Sequence, residues 1–167
     1  MAGTQYIGKA GQFAVMSELA RRGYNVSIPE IDIGDDVLAL NDVSGKLSRV
    51  QVKTATGKKL ATNNRAHRCQ FSLKRSHVLS SKSGTHYVLA ARCFGGWRFL
   101  VFKRYVLARL IKKGLGTKMS GGRHMITVIF FGRREAKTSL RKSAIDLSAH
   151  AHHWNLWKLL KGGSTAD

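Results

Sequence analysis

Apolar and polar positions alternate most clearly over two neighbouring runs, Asp36-Val37-Leu38-Ala39-Leu40 and Ser48-Arg49-Val50-Gln51-Val52-Lys53-Thr54. Between them lies Asn41-Asp42-Val43-Ser44-Gly45, which has turn composition. The pattern predicts a β-hairpin. Alternate side chains of a strand share a face, so Val50 and Val52 point into a core while Gln51 and Lys53 point out together. Antiparallel pairing of the two runs brings Asp36 near Gln51 and Lys53.

The remaining pattern predicts elements on both sides of this hairpin. Lys9 to Arg22 reads as a helix stopped by Gly23, with Phe13, Met16 and Ala20 as its apolar stripe and Val15 and Leu19 beside it. Tyr24 to Ile28 reads as a strand closed by Pro29. Ala55 to Arg68 has no period and reads as a mobile, basic loop. Cys69 to Leu73 is a short strand, and Lys74 to Leu79 one or two helical turns. His86 to Ala91 and Trp97 to Phe102 form a hairpin through Gly95-Gly96. Tyr105 to Lys113 reads as a helix ended by Gly114, followed by a glycine-rich basic loop to Arg123. Met125 to Phe131 is an apolar strand that is either central in a sheet or packed against a partner chain. Ser148 to Lys161 reads as a last helix.

Composition narrows the function classes. The 167 residues suffice for one core, and 43% hydrophobic content argues against wholesale disorder. Lys and Arg number 29 against 9 Asp and Glu, a formal charge of +20. That implies a large anionic partner, with nucleic acid first. No run is long enough to cross a bilayer, and the N-terminus has no secretory pattern. Cys69 and Cys93 are too few for a disulfide framework, so a cytoplasmic setting is expected. His150, His152 and His153 lack a recognised zinc spacing.

Against this positive background the patch Glu30, Asp32, Asp35 and Asp36 is incongruous, because negative charge is unfavourable beside nucleic acid unless a cation neutralises it. Asp36, Gln51 and Lys53 would gather a carboxylate, an amide oxygen and an ammonium on an open sheet face. Hard divalent cations take oxygen ligands, and a neighbouring lysine can orient water or offset phosphate charge. The same residues are also ordinary on an exposed hairpin.

A motif raises the first reading over the second. Gly34-Asp35-Asp36-Val37-Leu38 followed by Val50-Gln51-Val52-Lys53-Thr54 resembles the core of the PD-(D/E)xK nuclease superfamily in its D…QxK form. Gly8-Lys9-Ala10-Gly11-Gln12-Phe13-Ala14-Val15 resembles its first-helix segment, and the Gly8–Thr54 block resembles resolvase-like and homing-endonuclease-like members. The resemblance implies an α/β, restriction-endonuclease-like fold, a mixed β-sheet flanked by helices. Residues 1–161 would form one nuclease-like domain and 162–167 a flexible tail. It implies a DNA endonuclease dependent on Mg²⁺, with Mn²⁺ as a substitute, that hydrolyses phosphodiester bonds, acts on branched junctions among other candidate substrates, and works as a homodimer.

Carried over residue by residue, Asp36 and Gln51 would be metal ligands and Lys53 the catalytic lysine. Gln51 stands where glutamate is commoner, which predicts weaker metal affinity. Gln12 likewise replaces a first-helix glutamate. Glu18 is a poor substitute, since six helical residues leave the two side chains roughly 120° and about 9 Å apart. Asp35 and Asp32 are nearer, although a regular strand turns Asp35 away from Asp36. Lys58, Lys59, Arg65, Arg68, Lys118, Arg123, Arg133 and Arg134 are the candidate contacts to the nucleic-acid backbone. The competing expectations are a DNA-binding protein that does not cut and an RNA-binding protein.

Overall fold

In the computed structural model, which describes residues 3–30, 34–80, 84–132, 134–139 and 144–154, the predicted hairpin forms and its second strand becomes the centre of a mixed sheet. β2 (Val37–Asn41) pairs antiparallel with β3 (Lys46–Thr56), Val37 lying opposite Val50. β1 (Asn25–Ser27) extends the sheet beyond β2. On its other edge β3 pairs in parallel with β6 (Thr85–Cys93), Gln51 beside Tyr87 and Lys53 beside Leu89. β7 (Gly96–Lys103) closes the row, giving the order β1-β2-β3-β6-β7.

A parallel pair cannot be joined by a tight turn. The crossover from β3 to β6 consists of β4 (Lys58–Leu60), β5 (Asn63–Lys74) and the short helix α2 (Arg75–Leu79). The expected loop at Ala55 to Arg68 is therefore wrong: β3 runs on to Thr56, and β4 and β5 pair with Lys58 opposite Arg68 and Lys59 opposite His67. Periodicity failed there because most of these residues are exposed, so alternation leaves no apolar record. β5 is twelve residues long and pairs along β9 (Arg123–Phe131), which also binds β8 (Thr117–Lys118) and β10 (Glu135–Lys137). This second sheet is antiparallel and was not foreseen. β9 lies inside it, which accounts for the apolar run without a partner chain.

The central sheet is buried on both faces. Val50, Val52, Val37, Ala39, Val88 and Ala90 pack against Val15 and Leu19 of α1 (Thr4–Ala20). Tyr87, Leu89, Leu100 and Phe102 pack on the opposite side against Phe71, Ile126, Val128 and Phe130 of the second sheet. Leu107 and Ile111 of α3 (Arg104–Lys112) close that larger core. The stripe expected on α1 is corrected: Phe13 and Ala20 face solvent, while Gly11, Gln12, Val15 and Leu19 face the sheet. Gly11 is the reason. A Cβ there would lie 2.8 Å from Thr54 Cγ2 and closer still to its Oγ1, so the helix seats on β3 through its smallest residue.

The last expected helix is also corrected where it is described. Ser148–His150 forms a single 3₁₀ turn, and Ala151 then bridges to Leu100 on the edge strand β7, which draws the backbone out of helical pairing. His150 packs on Phe102 and His152 on Phe99, so these rings lie against different residues of β7. Positions 155–161 of that expected helix and the tail 162–167 lie outside the described residues. Among the described residues, no helix is long and apolar enough to cross a membrane.

Two outcomes are expected from this packing. Gly11→Ala should destabilise the protein by about 1–3 kcal/mol in urea unfolding, because overpacking outweighs the gain in helix propensity. Gly8→Ala, where a Cβ meets nothing within 4 Å, should be neutral or stabilising by up to about 1 kcal/mol. The second outcome concerns pH. Burial, then Lys103 and Lys46, push the His86 imidazole down from 6.5 to about 4. Between those values the unfolded chain takes up a proton that the folded chain refuses, so stability should be full above pH 6.5 and fall as pH drops towards 4. His86→Leu should flatten the dependence of the urea midpoint on pH across that window.

Candidate active site

Asp36 sits immediately before β2, and the hairpin register determines where it goes. Its backbone N–H donates to Val50 O at 2.9 Å, one residue out of step with the register that sets Val37 opposite Val50, and Asp36 comes to lie beside Gln51. The Asp36 Oδ2 atom accepts the backbone N–H of Val52 at 2.6 Å and a short hydrogen bond from Gln51 Nε2. From the helix side, Gln12 Nε2 donates to the Asp36 carbonyl oxygen, and Lys9 Nζ holds Gln12 Oε1 at 2.9 Å. Gln12 and Gln51 are both buried. Lys9, Gln12, Asp36 and Gln51 thus form one continuous polar chain from α1 to β3. Lys53 is two residues beyond Gln51 and half-buried, on the same face by strand alternation.

Asp35 behaves differently from the regular-strand expectation. Arg49 Nε holds its Oδ2 at 2.5 Å, and a second guanidinium nitrogen completes an ion pair with the buried carboxylate. Arg49 and Gln51 share a face of β3, so both aspartates reach side chains on one side of the strand. This is allowed because residues 35 and 36 precede β2 and do not follow its pleat. Asp35 brings charge near the centre, but that charge is already matched by arginine. Glu18 is not at the centre. It lies further along α1, held by Arg22 and by Arg21 at 3.2 Å, and lines a cleft with Phe99 and His152. Burial alone would raise its carboxyl, but hydrogen bonds from the two arginines outweigh this and hold it below the usual carboxylate range. Asp32 lies outside the described residues.

Several neighbours of the centre were not anticipated. Gly34 lies close to His77 of α2, near enough that a Cβ would be 3.3 Å from the imidazole. A small cavity of about 80 Å³ beside it is lined by Asp35, Arg49, His77, Tyr87 and Arg104. Burial raises the Tyr87 hydroxyl to about 12, opposed by Arg104 and helped by Asp35 and Asp36, so it stays a protonated donor. Arg49 was findable, because positions 49, 51 and 53 alternate onto one face. Nothing local in the sequence brings His77, Tyr87 or Arg104 to Asp36.

The donor set suits a hard cation, with little charge. Asp36 offers a carboxylate, and the Gln51 carboxamide, turned about its last torsion, presents Oε1 in place of Nε2. Among the described residues, no three His, Cys, Asp or Glu side chains gather as a metal-ion site.

The basic residues divide into two groups. Lys58, Lys59, Arg65 and Arg68 are exposed on the β4–β5 hairpin, and exposed Arg134 follows β9 at that same end. Lys118 and Arg123 lie at the other end of β9, about 27 Å away at strand rise. Arg123 pairs with Lys74, directly before α2, so the second group is on the side of His77 and the centre. The first group follows Lys53 in sequence but is carried away from the centre along the strand. Arg133 lies outside the described residues.

No curated protein matches this chain. Among solved structures, the chain is similar to a bacterial homing endonuclease at 20% identity, with a TM-score of 0.58 over 93% of this chain and 91% of that one. The likeness is one of fold, a restriction-endonuclease-like mixed sheet flanked by helices. A family model for PD-(D/E)XK endonucleases matches residues 2–94, which run from α1 through β6 and include Gln12, Asp36, Gln51 and Lys53. With more than half of its length carried by that match, the chain belongs to the PD-(D/E)XK nuclease superfamily.

Proposed function

We propose that the protein is a Mg²⁺-dependent DNA endonuclease, with Mn²⁺ as a substitute ion, and that Asp36, Gln51 and Lys53 form its centre. The observation that carries the reading is the contact between the Asp36 carboxylate and the Gln51 amide, on the same strand face as Lys53. Asp36 and Gln51 would hold the ion, which supplies charge stabilisation at the scissile phosphate and a water of lowered pKa. The rest falls to the chain itself. Val52 N–H and Gln12 fix Asp36 from two sides, which keeps its oxygens aimed at one point. The Lys53 ammonium holds a phosphate oxygen and offsets the charge that grows on it. Lys118 and Arg123, with a net charge of +20 behind them, draw the DNA backbone to this end of the fold. Cutting both strands of a duplex requires two centres, which a homodimer would supply.

A second reading has its own support. Gln12 and Gln51 are neutral and Asp35 is paired to Arg49, so Asp36 is the anionic oxygen donor on which metal binding depends. A centre this lightly charged also fits a protein that binds DNA without cutting it.

Cleavage of plasmid, linear duplex and four-way-junction DNA separates the two. The wild-type protein should cut at least one of these with Mg²⁺ or Mn²⁺. Lys53→Ala and Asp36→Asn should each lower the rate by about a hundredfold or more, with DNA affinity nearly unchanged. A folded, DNA-binding protein that cuts none of them, and shows no Asp36-dependent metal binding by calorimetry, would establish the binding-only reading.

Gln51→Glu is the sharper test of the ligand assignment. A second carboxylate should lower the Mg²⁺ concentration needed for half-maximal cutting by about tenfold, the effect of roughly 1.4 kcal/mol. If Gln51 lies outside the ion's reach, that concentration will stay where it is.

A further inference from the structure

The β6–β7 hairpin closes with Cys93 opposite Gly96, so Phe94 and Gly95 are the two residues of its turn. Both have positive φ, 53° and 71°, the backbone of a type I′ turn. Glycine, asparagine and aspartate fill that first position readily. A phenylalanine there is strained, of the order of 1–3 kcal/mol, and persists only when its surroundings hold it. The surroundings are specific. The Phe94 ring meets the edge of His67 at 4.0 Å between centroids, and the Arg98 guanidinium stands 5.4 Å from the ring centre. Arg98 in turn donates to Gly132 O at 3.2 Å, tying the turn to the end of β9.

These contacts wall a cleft of about 770 Å³ between the β6–β7 turn and the β4–β5 hairpin, within the size range of ligand sites. Phe94, Phe131 and His67 give it an aromatic lining, and the exposed cations Lys59 and Arg65 stand at its rim. His67 is only 7% exposed, and its Nδ1 atom has no hydrogen-bond partner. Burial, with Lys59 and Arg98, lowers its pKa, so its ring is neutral at pH 7 and offers hydrogen bonding rather than charge. The cleft is remote from Asp36. Gly57, whose backbone passes close to the His67 Cβ, is four residues beyond Lys53, or about 13 Å along the strand direction.

We propose that this cleft is a second nucleic-acid site that receives one unpaired nucleobase, stacked among Phe94, Phe131 and His67, with Lys59 and Arg65 on the flanking phosphates. Aromatic faces with cations beside them suit a base on a charged backbone and suit a purely aliphatic ligand poorly. A paired base cannot enter, so the site selects DNA with a bulge, a fray or a junction. This inference rests on the DNA reading above and narrows it to distorted duplexes.

Fluorescence anisotropy without divalent metal, on three short duplexes, tests it. One is fully paired, one carries a single bulged adenosine, and one carries a bulged abasic nucleotide of equal charge. The wild-type protein should bind the adenosine bulge about tenfold more tightly than the abasic bulge. Phe94→Asn, which suits the turn better than phenylalanine, should keep the fold and the affinity for paired duplex but lose the tenfold preference. Phe94→Tyr should keep the preference. Equal binding of the two bulges by the wild-type protein would overturn the inference, and so would a preference retained in full by Phe94→Asn. Preference for the adenosine bulge with no binding of paired duplex would support the cleft and count against the duplex reading. Binding to none of the three would overturn both.

Discussion

The parallel pairing of β3 with β6 is the constraint on which the rest of this structure depends. Eight residue pairs, from Arg49 beside Thr85 to Thr56 beside Arg92, hold it in register. A parallel neighbour requires the chain to leave the sheet and return in the same direction. Here the return path is itself a β-hairpin and a short helix, and the hairpin becomes the nucleus of the second sheet. β3 is consequently buried on both sides, by α1 on one face and by β5 on the other. The same path brings α2, and with it His77, close to Gly34, just before Asp36 and its seat at the middle of β3.

Charge is distributed around that seat with little to spare. In a chain of net charge +20, Glu18 is paired with Arg21 and Arg22, Asp35 with Arg49, and Glu135 with Lys137 at 2.8 Å. The Asp36 carboxylate accepts hydrogen bonds from the Gln51 amide and the Val52 peptide N–H, which orient it. The two glutamines around it perform complementary work. Gln12 fixes the backbone of Asp36 from the helix, and Gln51 touches its side chain from the strand. Neither adds negative charge, so affinity for the proposed ion would rest on preorganisation rather than on the number of carboxylates.

The positive charge is likewise sorted by strand geometry. β9 separates Lys118 and Arg123 near the centre from the Lys58, Lys59, Arg65, Arg68 and Arg134 group at the far end. A backbone running across both groups would span the centre and the aromatic cleft together. The strain at Phe94 marks the cleft end as a place where local backbone preference yields to a side chain's position.

The alternation of Val50, Gln51, Val52 and Lys53 by itself determined the hairpin, the two faces of β3 and the meeting of Asp36 with Gln51, because a strand's period and an antiparallel register are local rules. The helices at Arg75–Leu79 and Arg104–Lys112 and the β6–β7 hairpin were legible for the same reason. Tertiary structure alone decided what had no local signal. Ala55 to Arg68 became strand because β3 runs on beside β6, β4 and β5 pair with each other, and β9 takes up Ala66 to Arg68, although its exposed residues carry no apolar period. Phe13 was turned outward because Gly11, and not a larger residue, permits α1 to close on Thr54. Asp35 was claimed by Arg49, and His77, Tyr87 and Arg104 were gathered beside it, by contacts between residues far apart in the chain. Burial at such positions is set by which surfaces meet, and that is a property of the packed sheets rather than of any short stretch of sequence.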